Sequence, residues 1–463
     1  MKIRVHLLWA VLAVSLAGCA PRAYVPDADA NRSIVHGDGT VRFAMEVVAR
    51  VDDDATGVDV HLAVPHASLV FLQTGGGYAA AYEMSGLVRD GAETVYRVEW
   101  IDTVHASTYR QTQTYDPLLM KRRIALDPGR YTIEMALEDA ESGARTVRTQ
   151  GVTVSDPHHM GAAVGDLLLE DARAGSPFQP VVSVHVPGSY DSLRIVTEVY
   201  NVSDTADVTM TLVSFETDST VASPPFWFTP DPFSLAYKGV DYDAVDTVQA
   251  SRRRIGDAED RLSVEFSLPA LDVGTYAVEV RVSSRSGTRT KYRHFTVKRP
   301  SFPRITSLTE MVHALSYIAR DDELRRILAA RSEEEMKRRF DAFWADRVPS
   351  REAAAALLST YYSRVEEANI RFSGYKSGWK TDRGMIYILF GPPAYEEETA
   401  SGMAWYYFEP GAILNRRLPP FVFRRSRAYG NAGLFDTYVL QRREAYEDDW
   451  RRRVEDWRDG TAV

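Results

Sequence analysis

Ala125-Leu126-Asp127-Pro128-Gly129-Arg130-Tyr131-Thr132-Ile133-Glu134-Met135 returns further along the chain as Ala270-Leu271-Asp272-Val273-Gly274-Thr275-Tyr276-Ala277-Val278-Glu279-Val280. In both copies a turn glycine launches a run in which Tyr, Ile or Val, and Met or Val occupy alternate positions, the period of a strand with one buried face. Ser142-Gly143 answers Ser286-Gly287 as a hairpin turn, and Val152-Thr153-Val154 answers Phe295-Thr296-Val297 as the returning strand. The reading is a repeat at domain scale, two β-sandwiches ending in the same hairpin.

Working outward from the first copy, Val58, Val60, Leu62 and Val64 alternate with Asp59, His61 and Ala63, and Pro65 ends the run. Further strands are expected at 69–73, 78–88, 95–101 and 131–137, separated by Gly, Asp and Pro clusters. The expected architecture is two tandem immunoglobulin-like β-sandwiches, residues 40–156 and 177–299, joined by a linker over 157–176 that carries one short strand at 167–169. A C-terminal domain over 301–463, amphipathic helices packed on an antiparallel sheet, completes the chain.

The N-terminus carries an address. Met1-Lys2-Ile3-Arg4 precedes an apolar run from Leu7 to Leu16, which ends in Leu16-Ala17-Gly18-Cys19. The run is shorter than the ~20 residues a membrane helix needs, and its basic start and small-residue end fit a signal peptide over 1–18. Cys19, the one cysteine in 463 residues, then reads as the lipidated residue of a lipobox, followed by a polar leash to residue 39. Several acyl chains at one terminus hold a protein stably on a membrane. Disulfides and thiolate zinc sites are excluded by the same count. The expected location is the cell envelope, on the outer membrane with a periplasmic or surface face, and the partner at this end is membrane lipid.

Forty-five per cent hydrophobic residues suffice for several cores. The net charge of -9 is concentrated before Ser301; from there on 26 Lys+Arg balance 25 Asp+Glu. Neither part has the basic excess that nucleic acid calls for.

After Arg299-Pro300-Ser301-Phe302-Pro303 the pattern becomes helical. Ser307-x-x-Glu310 and Ser332-x-x-Glu335 are capping boxes before apolar stripes, and a third helix is expected to start at Ser350. Then comes Gly374-Tyr375-Lys376-Ser377-Gly378-Trp379-Lys380-Thr381-Asp382-Arg383-Gly384, the apolar run Met385 to Phe390, and Gly391-Pro392-Pro393. This reads as turn, strand, turn: Gly378 and Gly384 supply positive φ, Asp382 accepts a backbone N–H two residues on, and the prolines stop the strand.

Gly378, Trp379, Thr381 and Asp382, with Gly384, Gly391 and Pro392 beyond them, resemble the motif of the GWxTD domain family. The similarity extends to Tyr361–Asn369, to the aromatic run Ala404–Phe408 and to Phe421-Val422-Phe423, and covers roughly Ser301 to the C-terminus. The resemblance implies an exported bacterial protein, and it carries over no catalytic residues.

Trp379, Asp382 and Arg383 are nevertheless a candidate binding site, because an indole beside a carboxylate and a guanidinium suits a sugar or a peptide terminus. The structural alternative is that the indole packs, the aspartate closes the turn and the arginine pairs with it. Burial of Trp379 separates the two. Arg424 and Arg425, within the arginine- and aromatic-rich stretch 416–427, are further candidates for an acidic partner or anionic lipid; the alternative is a strand with Phe421 and Phe423 inward. Glu396-Glu397-Glu398 reads as a solvated turn.

Asp52-Asp53-Asp54 through Asp59 resembles a calcium loop but has Ala63 where the bidentate acid belongs, so it reads as a hairpin tip. His158-His159 lack further ligands nearby. No metal or cofactor is expected, and no hydrolase, metalloprotease or phosphate-loop signature is present. The tail 444–457 carries Tyr446, Trp450, Val454 and Trp457 on one helical side, docked on its own domain or offered to a partner.

These features imply a non-enzymatic, membrane-anchored binding or scaffold component with an envelope protein partner, its C-terminal domain presented at a distance by two β-sandwich spacers. The alternative is an enzyme or a glycan- or peptide-binding module built around Trp379, Asp382 and Arg383.

Overall fold

Both copies of the repeat fold as the same hairpin. Residues Gly129–Asp139 and Arg145–Val154 pair from Gly129↔Val154, and Gly274–Ser284 and Gly287–Val297 pair from Gly274↔Val297. Gly143 (φ 66°) and Gly287 (φ 125°) make the turns in backbone conformations that side chains disfavour. In each copy the tyrosine hydroxyl donates to the carbonyl four residues earlier, Tyr131 to Asp127 at 3.0 Å and Tyr276 to Asp272 at 2.9 Å. Ile133, Met135, Val278 and Val280 point into the cores.

The computed structural model describes residues 41–51, 55–156, 161–173, 175–202, 205–227, 239–256, 259–399, 401–408, 417–426 and 437–462. Cys19 and its leash, Asp52–Asp54, His158-His159 and part of the 416–427 stretch lie outside the described residues.

The first domain has two sheets. One is β1 (Ala44–Val51), β2 (Thr56–Pro65) and β6 (Pro117–Ala125), in the order β1-β2-β6. The other runs β3 (Leu72–Thr74), β4 (Gly77–Asp90), β7 (Gly129–Asp139) and β8 (Arg145–Val154), with β5 (Glu93–Ala106) paired to β4; a short helix α1 (Tyr109–Thr112) links β5 to β6. Side chains of β8 close the free edge of β1: Arg148 donates to the Phe43 carbonyl, and the Gln150 amide bonds both backbone groups of Val47. The alternation along β2 suggests a strand with one solvated face, but Asp59 and His61 are buried as well. Lys121 and Arg123 on β6 and Arg50 on β1 lie within 2.7–3.3 Å of the Asp59 carboxylate and neutralise it.

The second domain pairs β9 (Ala163–Val164), β10 (Leu168–Ala172), β11 (Gln179–Pro180), β13 (Ser192–Val202) and β16 (Glu259–Leu268) in one sheet. The other sheet is β12 (His185–Val186), β18 (Gly287–Val297), β17 (Gly274–Ser284), β14 (Ala206–Thr217) and β15 (Val240–Ile255). The expected linker over 157–176 is therefore corrected. Leu168–Ala172 pairs along β13 and Leu169 is fully buried, so this segment belongs to the second sandwich.

The C-terminal domain stacks α2 (Leu308–Ala314), α3 (Asp321–Leu328), α4 (Glu333–Ala345), α5 (Arg351–Phe372), α6 (Asp382–Phe390) and α7 (Glu447–Arg458) with an antiparallel sheet. Its strands are β19 (Tyr395–Thr399), β20 (Gly402–Tyr406), β21 (Phe421–Ser426) and β22 (Thr437–Leu440), in that order. Ser332 and Ser350 cap α4 and α5 by accepting from the Glu335 and Ala353 N–H groups. Ser307 makes no side-chain cap; Glu310 turns instead to Arg299 at 2.7 Å.

The largest departure is α6. Met385 to Phe390 is a helix where a strand is expected, because all six residues are buried and no polar face marks the period. Thr381 caps it by accepting from the Gly384 N–H, and Gly391 (φ 80°) ends it by donating to the Tyr387 carbonyl. Tyr446, Trp450 and Trp457 of the tail are buried, and the Trp457 indole donates to the Leu389 carbonyl at 3.0 Å. The tail thus docks on its own domain.

The three domains also touch one another. Arg293 on β18 bonds Glu46 on β1, and Arg261 on β16 donates to the Val51 carbonyl. Arg42 makes two bonds, 2.6 and 2.7 Å, with Glu367 on α5. The C-terminal domain therefore lies against the start of the first sandwich rather than at the far end of a string.

Candidate functional site

Gly378–Lys380 forms one 3₁₀ turn between α5 and α6. Its glycines are required for close approach, not for positive φ: a Cβ on Gly378 would sit 1.9 Å from the Ala368 carbonyl oxygen, and one on Gly384 would sit 2.0 Å from that of Gly378. This corrects the expected role of both. Ser373 accepts from the Gly378 N–H, and the Thr381 hydroxyl donates back to the Gly378 carbonyl at 2.7 Å.

Trp379 is fully buried. Its N–H donates to Asn369, whose amide donates in turn to the Pro303 carbonyl; its own carbonyl accepts from the Tyr317 hydroxyl at 2.7 Å. The indole N–H lies 3.5 Å from Glu310, the acid that leaves the α2 cap unmade. A tryptophan buries roughly 150–250 Å² of surface, so this ring is an anchor of the core and presents no face to a ligand.

Asp382 does not close its own turn. Its Oδ2 accepts from the Leu440 N–H at 2.8 Å, and Arg442 grips both oxygens at 2.6 and 3.1 Å. Arg442 is 10% exposed, which makes the pair a largely buried fork-to-fork ion pair between α6 and the end of β22. Arg383, expected to pair with Asp382, instead lies over the Tyr438 ring at 4.1 Å and the Phe372 ring at 5.0 Å.

The same turn holds a segment of the second sandwich. Beyond β14 the chain crosses to the C-terminal domain as a strap, residues 218–226. Ala222 N–H donates to the Lys380 carbonyl, Lys380 to the Ser219 carbonyl, Lys376 to Asp218 and the Thr220 carbonyl, and Arg442 to the Ser223 carbonyl. Val221, Ala222 and Phe226 pack on the C-terminal core. Tyr317, Arg442 and this strap are partners that sequence spacing does not reveal, because they lie some sixty residues or more from the motif along the chain.

Arg424 and Arg425 are exposed on β21 while Phe421 and Phe423 point inward. They share no open surface with Trp379, whose ring reaches none. Glu396, expected in solvent, pairs with Arg371 at 2.9 Å; burial pushes its carboxyl up although Arg371 and Arg383 act against this.

Beside the turn, Lys298 is buried and donates to the Gly374 carbonyl at 2.8 Å. Burial pushes its amine down to about 7 from the ordinary 10.5. Between these two values the unfolded chain holds a proton that the folded chain releases, so stability rises with pH across this window and is lost as pH falls toward 7. Lys298→Met is expected to flatten that part of the stability profile, read by urea unfolding at pH 7, 8.5 and 10.

A cleft of about 140 Å³ lies between the sandwiches and includes Arg50, Asp166, Tyr200, Asn201 and Lys291 in its lining. Asp166 accepts from the Ala49 N–H at 2.9 Å and Arg50 lies 3.8 Å from Glu198 on β13, so these groups join the two domains across the cleft.

Among known proteins, the family model described as GWxTD domain matches residues 274–459. The match begins in the last hairpin of the second sandwich, earlier than the Ser301 expected, and leaves out the strap. No curated protein matches the chain. Among solved structures, the crystal structure of red sea bream transglutaminase is 10% identical with a TM-score of 0.16, covering 55% of this chain and 31% of that one. This chain thus spans less than a third of that protein, and so low a score supports no argument. The match over 274–459, with the motif Gly378, Trp379, Thr381, Asp382 inside it, shows that this part of the chain is a GWxTD domain.

Proposed function

We propose that the chain is an exported lipoprotein, anchored through Cys19, which acts as a non-enzymatic binding or scaffold component of the cell envelope. The observation that carries the non-enzymatic part is the fate of the motif. The turn Gly378–Asp382 is engaged in bonds that join α2, α5, α6, β22 and the strap. Groups so committed are positioned to brace a domain, and a ligand could reach them only by dismantling it. The lipobox ending at Cys19 and the apolar run before it support the anchor. The sandwiches read as immunoglobulin-like, since each carries an Asp-x-Gly-x-Tyr corner whose hydroxyl returns to the backbone.

The anchor is tested by expressing the wild-type chain and Cys19→Ser with radiolabelled palmitate in a Gram-negative host. The wild type is expected to take up label and sediment with membranes, and Cys19→Ser to do neither. An unlabelled wild-type chain would refute the lipoprotein reading. Proximity labelling in the native envelope tests the scaffold role, which would not survive the failure to recover any reproducible neighbour.

A further inference from the structure

The first sandwich presents an edge that matches itself. Strand β5 is 14 residues long, and among the described residues it pairs only with β4. Such an edge is a row of open backbone groups, which proteins ordinarily blunt or cover. Here it also bears apolar side chains in solvent: Ile101 is 73% exposed, Val95 46% and Tyr96 37%. Arg97 and Glu99 between them are exposed and make no ion pair among the described residues. A bulge at Val95, between the Val88↔Tyr96 and Arg89↔Thr94 pairs, interrupts the regular edge, which runs on from Tyr96.

We propose that a second copy of this chain pairs with β5, antiparallel, across a two-fold axis at Val98. In this register Arg97 faces Glu99 of the second copy and Glu99 faces its Arg97. Tyr96 and Trp100 meet across the axis in the same reciprocal way, and Val98 meets Val98, with Val95 and Ile101 flanking each other. Every central pair is of a kind that stabilises antiparallel strands. A two-fold axis normal to the sheet must lie midway between a residue and its own copy if facing side chains are to share a face. Moving it to Arg97 sets two arginines opposite, and moving it to Glu99 sets two glutamates opposite. The charges therefore select one register and one kind of occupant, an identical strand, in an isologous dimer.

The test is sedimentation equilibrium on the full chain carrying Cys19→Ser, so that neither lipid nor a native thiol joins copies. A monomer–dimer equilibrium is expected. Arg97→Glu, which faces Glu99 of the other copy twice per dimer, raises the dissociation constant about tenfold or more; Arg97→Glu with Glu99→Arg restores it. In the same background Val98→Cys is expected to form a disulfide-linked dimer on mild oxidation, whereas Thr103→Cys, far from the axis, does not. A chain that stays monomeric would overturn the proposal and assign the edge to another strand. A dimer indifferent to Arg97→Glu, or one that Val98→Cys fails to cross-link, would overturn it equally.

Discussion

Gly378→Ala and Gly384→Ala are each expected to destabilise the C-terminal domain by more than about 3 kcal/mol, the upper range for overpacking, because the added methyl meets backbone that cannot rotate away. At Gly378 the obstacles are the Ala368 carbonyl oxygen at 1.9 Å and the Ser373 nitrogen at 2.8 Å; at Gly384 they are the Gly378 carbonyl oxygen at 2.0 Å and the Trp379 Cα at 3.0 Å. Either methyl would push the 3₁₀ turn off α5 or α6 and release Trp379 from its site. Five of the eight tryptophans lie in the C-terminal domain, so urea unfolding followed by tryptophan fluorescence reports this domain above the others. Gly76→Ala, which meets nothing within 4 Å, is the control and should change stability by no more than about 0.5 kcal/mol. Unfolding midpoints for Gly378→Ala and Gly384→Ala equal to that of Gly76→Ala would show that the turn tolerates a side chain and that the motif's glycines have another purpose.

Asp382→Ala should cost about 3–5 kcal/mol, since it leaves the Arg442 guanidinium buried without its counter-charge and the Leu440 N–H without its acceptor. Asp382→Asn keeps an oxygen for Leu440 and removes only the charge, so a loss of roughly half that size is expected. Replacing the pair together, Asp382→Leu with Arg442→Met, should lose less than Asp382→Ala alone, because no uncompensated charge remains. The double-mutant cycle then isolates the coupling between the two residues. The outcome also decides between brace and binding site. If Asp382 served a ligand, its removal would spare stability and the cycle would show no coupling with Arg442.

What was legible in this chain was local. The hairpin repeat announces itself because a turn glycine, a period of two and a returning strand lie within about thirty residues, and both copies fold as read. The caps at Ser332 and Ser350 are likewise near-neighbour chemistry. Helix α6 was not legible: six apolar residues buried on every side carry neither a helical nor a strand period, and only Thr381 before them and Gly391 after them bear the marks of helix ends. The candidate site was half legible. Trp379 and Asp382 stand out within the motif, but Arg442 takes the partnership expected of Arg383, and nothing in the spacing connects residue 382 with residue 442.

By itself the sequence determined the strand-rich repeat, the helical C-terminal segment and the family motif, because each depends on residues close along the chain. Only the tertiary structure decided that Gly378 and Gly384 are there for closeness and that Asp382 belongs to Arg442. It also decided that residues 218–226 of one domain strap another and that Arg42 meets Glu367. Each of these depends on which surfaces remain to be covered once the local elements exist. That is a property of packing between distant segments, and no window of sequence contains it.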